Sequence, residues 1–331
     1  MKKSYRRKSF LIALQVIITF IFLYLTFKNT HITHLKSVFL SVNYGVLCLT
    51  LVPQFFSLFL LALREKYLLN KIHSFHFRDL FEATLIGMVG NNVLPLRGGE
   101  FLKVLYWSKQ SNKSYLSLLS VALIERMLDL IFLIMLFFVG SQAVLLQLGF
   151  NIRWIVTLMV VIFSVIAIFI LLDRKYQNEF KLHATLQKLL GDAVSHYCTD
   201  FINKVMAGFR VLGSVKNVTI AFLITVLYWG MSIAGLWIAF YAFHLPISWE
   251  RITVLMLATC LGTAIPAAPG YIGTFDYFSK MALMLYGVKE SVAISFALAT
   301  HFMSIVPLTL IGMIFVYPAM GRLLKSKQAS V

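Results

Sequence analysis

The chain has 331 residues, of which 60% are hydrophobic and 13% charged, with a net charge of +17 and a mean hydropathy of +0.83. That balance excludes an ordinary soluble domain, which covers its surface with far more charge. The basic residues fall in loops between apolar runs, so the charge reads as the positive-inside pattern of a membrane protein and not as a nucleic-acid interface. A spanning helix takes about 20 apolar residues, leaving room for roughly six to eight membrane segments in an all-α polytopic protein.

In chain order, the N-terminal sequence MKKSYRRKSF runs into an apolar helix over 9–27. It resembles a retained signal anchor, with Lys2, Lys3, Arg6, Arg7 and Lys8 placing its start in the cytoplasm. A second span is expected over 38–63, with Arg64, Lys66, Lys71 and Arg78 as its cytoplasmic flank. Further spans are expected over 115–139, 154–172, 218–243 and 291–317, with 141–153 external. The basic stretch 173–217 is expected to be a cytoplasmic linker of surface helices. The basic tail GRLLKSK places the C-terminus in the cytoplasm as well. This is the multi-pass organisation of a plasma (inner) membrane protein, read as one domain over 1–331: half one 1–172, linker 173–217, half two 218–331.

Two segments do not fit simple spans. Residues 79–110 are broken by NNVLPLRGGE and residues 250–286 by IPAAPGYIGTFD. Two half-helices of about 15 residues, each about 22 Å long, fit each segment, so both read as re-entrant hairpins entering from opposite sides. The order span, hairpin, span then occurs twice in inverted arrangement. Interrupted segments at matching places in two inverted halves point to a transporter binding site.

The candidate substrate-binding residues follow from this arrangement. At the first tip lie Asn91, Asn92, Pro95, Arg97, Gly98, Gly99 and Glu100. Pro95 ends one half-helix, the two glycines allow a sharp turn, and the next half-helix offers N–H groups to an anion such as a lipid phosphate. Arg97 can grip the same phosphate, or close a structural pair with Glu100. The second tip repeats the pattern with Pro266, Pro269, Gly270, Gly273 and Asp276, where Asp276 can also simply cap its half-helix. Glu125, Arg126 and Asp129 fall near the middle of the 115–139 span. Each unpaired charge there costs about 2.5–3.5 kcal/mol, so they must face a paired or wet interior. His301 reads as a proton relay or a hydrogen-bonded packing residue. The five tryptophans, Trp107, Trp154, Trp229, Trp237 and Trp249, read mostly as aromatic-belt residues near segment ends.

Cys48, Cys198 and Cys260 form no CxxC, so no disulfide framework or cysteine zinc site is expected. His31/His34 and His73/His76 have metal-like spacing without accompanying acids, and no metal or other cofactor is expected. The nucleotide-binding and hydrolase motifs GxxxxGK[ST], HExxH, GxSxG and GxGxxG do not occur.

Three motifs carry a resemblance: N-N-x-L-P-x-R-G-G-E at 91–100, E-R-x-L-D at 125–129 and P-G-x-x-G-x-x-D at 269–276. Together they resemble the flippase-like transmembrane family typified by the N-terminal transmembrane domain of lysylphosphatidylglycerol synthase, the multiple peptide resistance factor. The resemblance covers nearly the whole chain. It implies a lipid-translocating membrane domain, with Arg97, Glu100 and the 125–129 charges as the matched polar positions. The family pattern has Glu at the position of Asp276 and a second Gly at that of Tyr271. The soluble aminoacyl-transferase domain has no counterpart before Val331, so a non-enzymatic role is expected. The expected partners are membrane lipids with an anionic headgroup, with a second copy of the chain or a cell-envelope enzyme as further candidates. The rival readings are an intramembrane transferase acting on lipid-linked substrates and a non-catalytic subunit of a cell-envelope enzyme.

Overall fold

The computed structural model describes residues 2–28, 30, 32–140, 204 and 214–328. The expected external loop 141–153, the span 154–172, most of the linker 173–217, and Cys198 lie outside the described residues. All secondary structure among the described residues is helical, as the composition requires, since in lipid a helix satisfies its own backbone. In order, the elements are α1 (Lys2–Phe27), α2 (Ile32–Ser41), α3 (Tyr44–Cys48), α4 (Leu51–Leu69), α5 (Phe77–Val93), α6 (Gly98–Ser111), α7 (Tyr115–Gly140), α8 (Val215–Ala242), α9 (Trp249–Ala264), α10 (Thr274–Met284) and α11 (Glu290–Gln328). Short 3₁₀ turns join α5 to α6 (Pro95–Arg97) and α9 to α10 (Pro269–Tyr271).

Among the described residues three stretches are long and apolar enough to cross a membrane: Tyr44–Leu69, Val215–Ala242 and Glu290–Ala319. The first lies some six residues later than the sequence indicates. Asn43 explains its start, because its side chain accepts the Val46 N–H and caps α3 there. Arg64 and Glu65 explain its end. Read from sequence as the flank and its neighbour, they are each 1% exposed inside α4. The polarity of the molecule is inverted relative to a soluble protein: charges are buried while Phe20, Tyr24, Val52, Ile314 and Tyr317 are exposed, as lipid-facing positions should be.

The order helix, helical hairpin, helix occurs twice, as α4, α5/α6, α7 and as α8, α9/α10, α11. Packing follows the same exchange: α5 lies against α11, and α7 against α9. The corresponding helices α4 and α8 pack antiparallel on each other. The Asn43 N–H donates to the Ala242 carbonyl at 3.0 Å at one end, and Arg64 donates to Thr225 Oγ1 at 3.2 Å towards the other. One apolar core, including Leu68, Leu80, Ile86, Trp107 and Ile124, lies among α4 to α7. A second, including Phe240, Ile252, Met256, Leu283 and Phe296, lies among α8 to α11. The two hairpin tips meet between them.

α1 braces the second hairpin. Thr19 Oγ1 accepts the Ala268 N–H at 2.8 Å, and Gln15 donates to the Ala267 carbonyl at 3.1 Å. Buried Lys280 donates to the Thr26 carbonyl (2.8 Å), where α1 ends and its last carbonyls lack helical partners, and to Glu290 (2.6 Å). Lys280→Met strands the carbonyls and the carboxylate together. It is expected to cost about 2–3 kcal/mol, charged hydrogen bonds being worth about 1.5–3 kcal/mol each. The check is a lower midpoint of thermal unfolding in detergent.

Candidate functional site

Gly87 and Gly90 on α5 face Gly99 on α6, so the arms of the first hairpin touch backbone to backbone. At the tip Leu96 (φ 58°) and Arg97 (φ 53°) both adopt left-handed backbone, which ends the turn abruptly and starts α6 at Gly98. Asn91 Oδ1 then accepts the Glu100 N–H at 3.3 Å, so one of the free N–H groups at the start of α6 already has a partner. Asn92 donates to Thr309 Oγ1 on α11 at 2.8 Å. Glu100 does not pair with Arg97. The Arg97 guanidinium donates to the Thr263 carbonyl at 2.8 Å and lies 5.4 Å from the centroid of the Tyr271 ring, while its Nε is buried without a hydrogen-bond partner. Arg97 thus joins the first tip to the second. Tyr271, standing where the family pattern has Gly, adopts φ 59° and supplies the ring for that contact.

Glu100 instead enters a buried ion network built from α4, α6 and α7. Lys103 Nζ lies 2.7 Å from Glu125, 3.1 Å from Glu65 and 3.5 Å from Glu100. Arg126 pairs with Glu100 at 3.2 Å and with Asp129 at 3.3 Å. Asp129 also binds Arg64 at 2.6 Å and accepts the Trp229 indole N–H at 3.3 Å. Four carboxylates (Glu65, Glu100, Glu125, Asp129) thus face three cations (Arg64, Lys103, Arg126) in one connected network. Glu125 is fully buried, whereas the Arg126 side chain is 46% exposed and that of Glu100 27%.

These two exposed groups line a cavity of about 450 Å³ between the halves. Its wall continues with Asn91, Asn92 and Lys103, then with Tyr228, Trp229 and Tyr271, and then with apolar residues such as Leu236, Met256 and Phe275. The cavity is within the usual size range of a ligand site, with charge at one part and an apolar lining elsewhere. Arg97 lines a second, smaller cavity of about 130 Å³, together with Pro266 and Pro269 of the other tip.

At the second tip Gly270 (φ 72°) and Gly273 (φ 86°) hold backbone that L-residues rarely adopt. Asp276 accepts the Gly273 N–H at 3.0 Å and so caps α10. His301 is hydrogen-bonded on both ring nitrogens, to Asp276 and to the Gly270 carbonyl.

The structure therefore gathers Asn91, Asn92, Glu100 and Arg126 at one cavity, with Glu125 and Asp129 behind them, and places Arg97, Gly98, Pro95 and the second-tip residues around the tip junction. Sequence reasoning missed Lys103, Arg64 and Glu65. The signal was available: three acids in the apolar interior, Glu100, Glu125 and Asp129, call for more cation than Arg126 supplies. The aromatic-belt reading fails for two tryptophans. Trp107 is fully buried, 4.9 Å below Lys103 Nζ, and Trp229 binds Asp129. Among the described residues no group of three or more His, Cys, Asp or Glu side chains is placed to hold a metal.

This is an all-α membrane protein with a charged network buried among α4, α6 and α7, beside the first helical hairpin. Residues 12–312 match the family model of the lysylphosphatidylglycerol synthase transmembrane region, and the chain belongs to that family. It is 24% identical over 264 residues to a UPF0104 membrane protein of Pyrococcus horikoshii, covering 72% of this chain and 76% of the relative. It is also 24% identical over 243 residues to a UPF0104 membrane protein of Methanocaldococcus jannaschii, covering 71% and 96%. No solved structure matches it.

Proposed function

We propose that the protein translocates a membrane lipid with an anionic headgroup, working as a flippase-like transporter of the plasma membrane. The observation that carries this reading is the 450 Å³ cavity lined by both Arg126 and an apolar wall. Within the network Arg126 is the most exposed charge, so an entering headgroup meets a guanidinium first, suited to bidentate contact with a phosphate. The neighbouring carboxylates of Glu100 and Asp129 hold that guanidinium in place. The apolar wall suits the glycerol and upper acyl region.

In this reading the hairpins are re-entrant, one from each side. The repeated order of elements and the antiparallel α4/α8 pair support two inverted halves, 1–172 and 218–331, joined by the basic linker 173–217. Rocking of one half on the other exposes the cavity alternately. The basic N-terminal and C-terminal segments support a cytoplasmic position for both ends. Phosphatidylglycerol, an aminoacylated derivative and a polyprenyl-linked carrier all present the phosphate this site needs.

The test is headgroup translocation in proteoliposomes, with fluorescent phosphatidylglycerol challenged by an impermeant quencher. Wild-type protein is expected to accelerate loss of protection. Arg126→Gln and Glu100→Gln are expected to slow it roughly ten- to a hundredfold while eluting as folded protein, the equivalent of one lost charged hydrogen bond of about 1.5–3 kcal/mol. Folded variants with wild-type rates would remove the headgroup site from this cavity. Lipid product formed from a donor would favour the transferase reading instead.

A further inference from the structure

Two acceptors close on one imidazole at the second tip. His301 Nδ1 lies 2.8 Å from Asp276 Oδ1, and Nε2 lies 2.7 Å from the Gly270 carbonyl oxygen. A neutral imidazole carries one N–H and can serve one of them, leaving a lone pair against the other. Both contacts hold together only when two protons are shared along the chain Gly270 O, His301, Asp276. The other Asp276 oxygen already accepts the Gly273 N–H at 3.0 Å. His301 is 7% exposed, Asp276 2%, and the ring stacks on Phe275 at 4.4 Å.

The neighbours do not supply a competing charge. α10, α5, α2 and α4 pack against α11. On α10, Lys280 is bound to Glu290, and Tyr277 packs on Phe22. On α5, Arg78, Asp79 and Glu82 lie in the first two turns, at the far end from the tip. On α4, Arg64 and Glu65 belong to the ion network, with Lys66 and Tyr67 beyond them. α2 carries His34 and Lys36. At the tip itself Tyr271 faces Arg97. Among the described residues Asp276 is the one charged group that His301 contacts.

We infer that His301, Asp276 and the Gly270 carbonyl form a proton-binding site that docks the second tip on α11 when occupied and releases it when empty. The proton comes from and returns to water, and no bond but N–H is made or broken. Gly270 is the left-handed apex of the tip, and the next residue, Tyr271, carries the Arg97 contact to the first tip. Loss of the proton leaves Nε2 as a lone pair facing the Gly270 carbonyl, so the apex loses its tie and the junction between the tips loosens with it.

The experiment reads tip mobility, independent of which lipid is moved, so it stands or falls apart from the transport assay. A nitroxide is placed at Ile272, 47% exposed beside the apex, in the full chain with Cys48, Cys198 and Cys260 replaced by Ser, reconstituted in lipid nanodiscs. Spectra are taken from about pH 5 to about pH 9, either side of the ordinary histidine range. The wild-type probe is expected to be immobilised at low pH and to gain a mobile component as pH rises. Asp276→Asn is expected to stay immobilised throughout. Its amide N–H can donate to Nδ1 and its oxygen can still accept the Gly273 N–H, so the neutral ring keeps its one N–H for Gly270. His301→Ala is expected to be mobile throughout. A wild-type spectrum that does not change with pH overturns the proposal, as does an Asp276→Asn protein that keeps the wild-type response.

Discussion

Lys103→Met is expected to be the most damaging single substitution in the ion network. Lys103 is 5% exposed and is the shared partner of Glu65, Glu100 and Glu125. Methionine has nearly the same volume but lacks the ammonium that stands 4.9 Å from the Trp107 ring centroid, so the loss is one of charge and not of volume. What remains is Glu65 and Glu125, both buried, with Thr84 as the other side-chain donor to Glu65. Breaking a buried pair by removing one partner costs about 3–5 kcal/mol, because the survivor stays charged and dry or must take up a proton. Against a total stability of about 5–15 kcal/mol, that is enough to reduce the yield of monodisperse protein sharply. The charge explanation makes a second demand. In the double variant Lys103→Met/Glu125→Gln one stranded carboxylate is gone, so part of the loss should return, by about 0.5–3 kcal/mol of coupling. Thermal unfolding in detergent of the two single variants and the double variant completes the cycle. A Lys103→Met protein that melts with wild type, or a double variant no better than additive, would mean that the network does not hold the fold together.

The parts of this architecture that were legible in the sequence are those written in local pattern. The tips at 91–100 and 266–276 announce themselves because Pro and Gly interrupt apolar runs, and the helices stop where those residues stand. Glu125, Arg126 and Asp129 were legible as an interior cluster because their spacing puts them on adjoining faces of one long apolar helix. What local pattern does not carry is the identity of partners on other helices. Arg64 looks like a flanking charge because it stands at the head of a basic run. It is interior because α4 continues six residues past the expected end, and because Asp129, 65 positions later, needs it. Lys103 sits between Leu102 and Val104 and looks like one more basic residue near a cytoplasmic flank, although Glu100, three residues earlier, lies on the same helix face. Arg97 was readable as a tip residue, but its commitment to the Thr263 carbonyl and Tyr271 depends on how the two hairpins meet.

Gly99→Ala is expected to open the first hairpin, and the reason is geometric. A Cβ at Gly99 would stand 1.9 Å from the Gly87 carbonyl oxygen, 2.4 Å from the Asn91 amide nitrogen and 2.8 Å from Asn91 Oδ1. Two of these are backbone atoms and cannot rotate away, so α5 and α6 must separate by on the order of 1 Å to restore ordinary contact distances. Overpacking costs about 1–3 kcal/mol in side-chain cores that can adjust, and a backbone-to-backbone contact adjusts less, so the expected loss lies at or above about 3 kcal/mol. Gly230→Ala is the matched control. Nothing lies within 4 Å of the added carbon on α8, and alanine should be neutral or stabilising there by up to about 1 kcal/mol through helix propensity. The same displacement lengthens the bond from the Glu100 N–H to Asn91 and shifts Glu100 against Arg126. Any Gly99→Ala protein that still folds should therefore also be slow in the proteoliposome assay, while Gly230→Ala keeps the wild-type rate. Equal melting midpoints for the two variants would show that the arms of the hairpin are not closed on each other, and with that the placement of Glu100 beside the cavity would have to be abandoned.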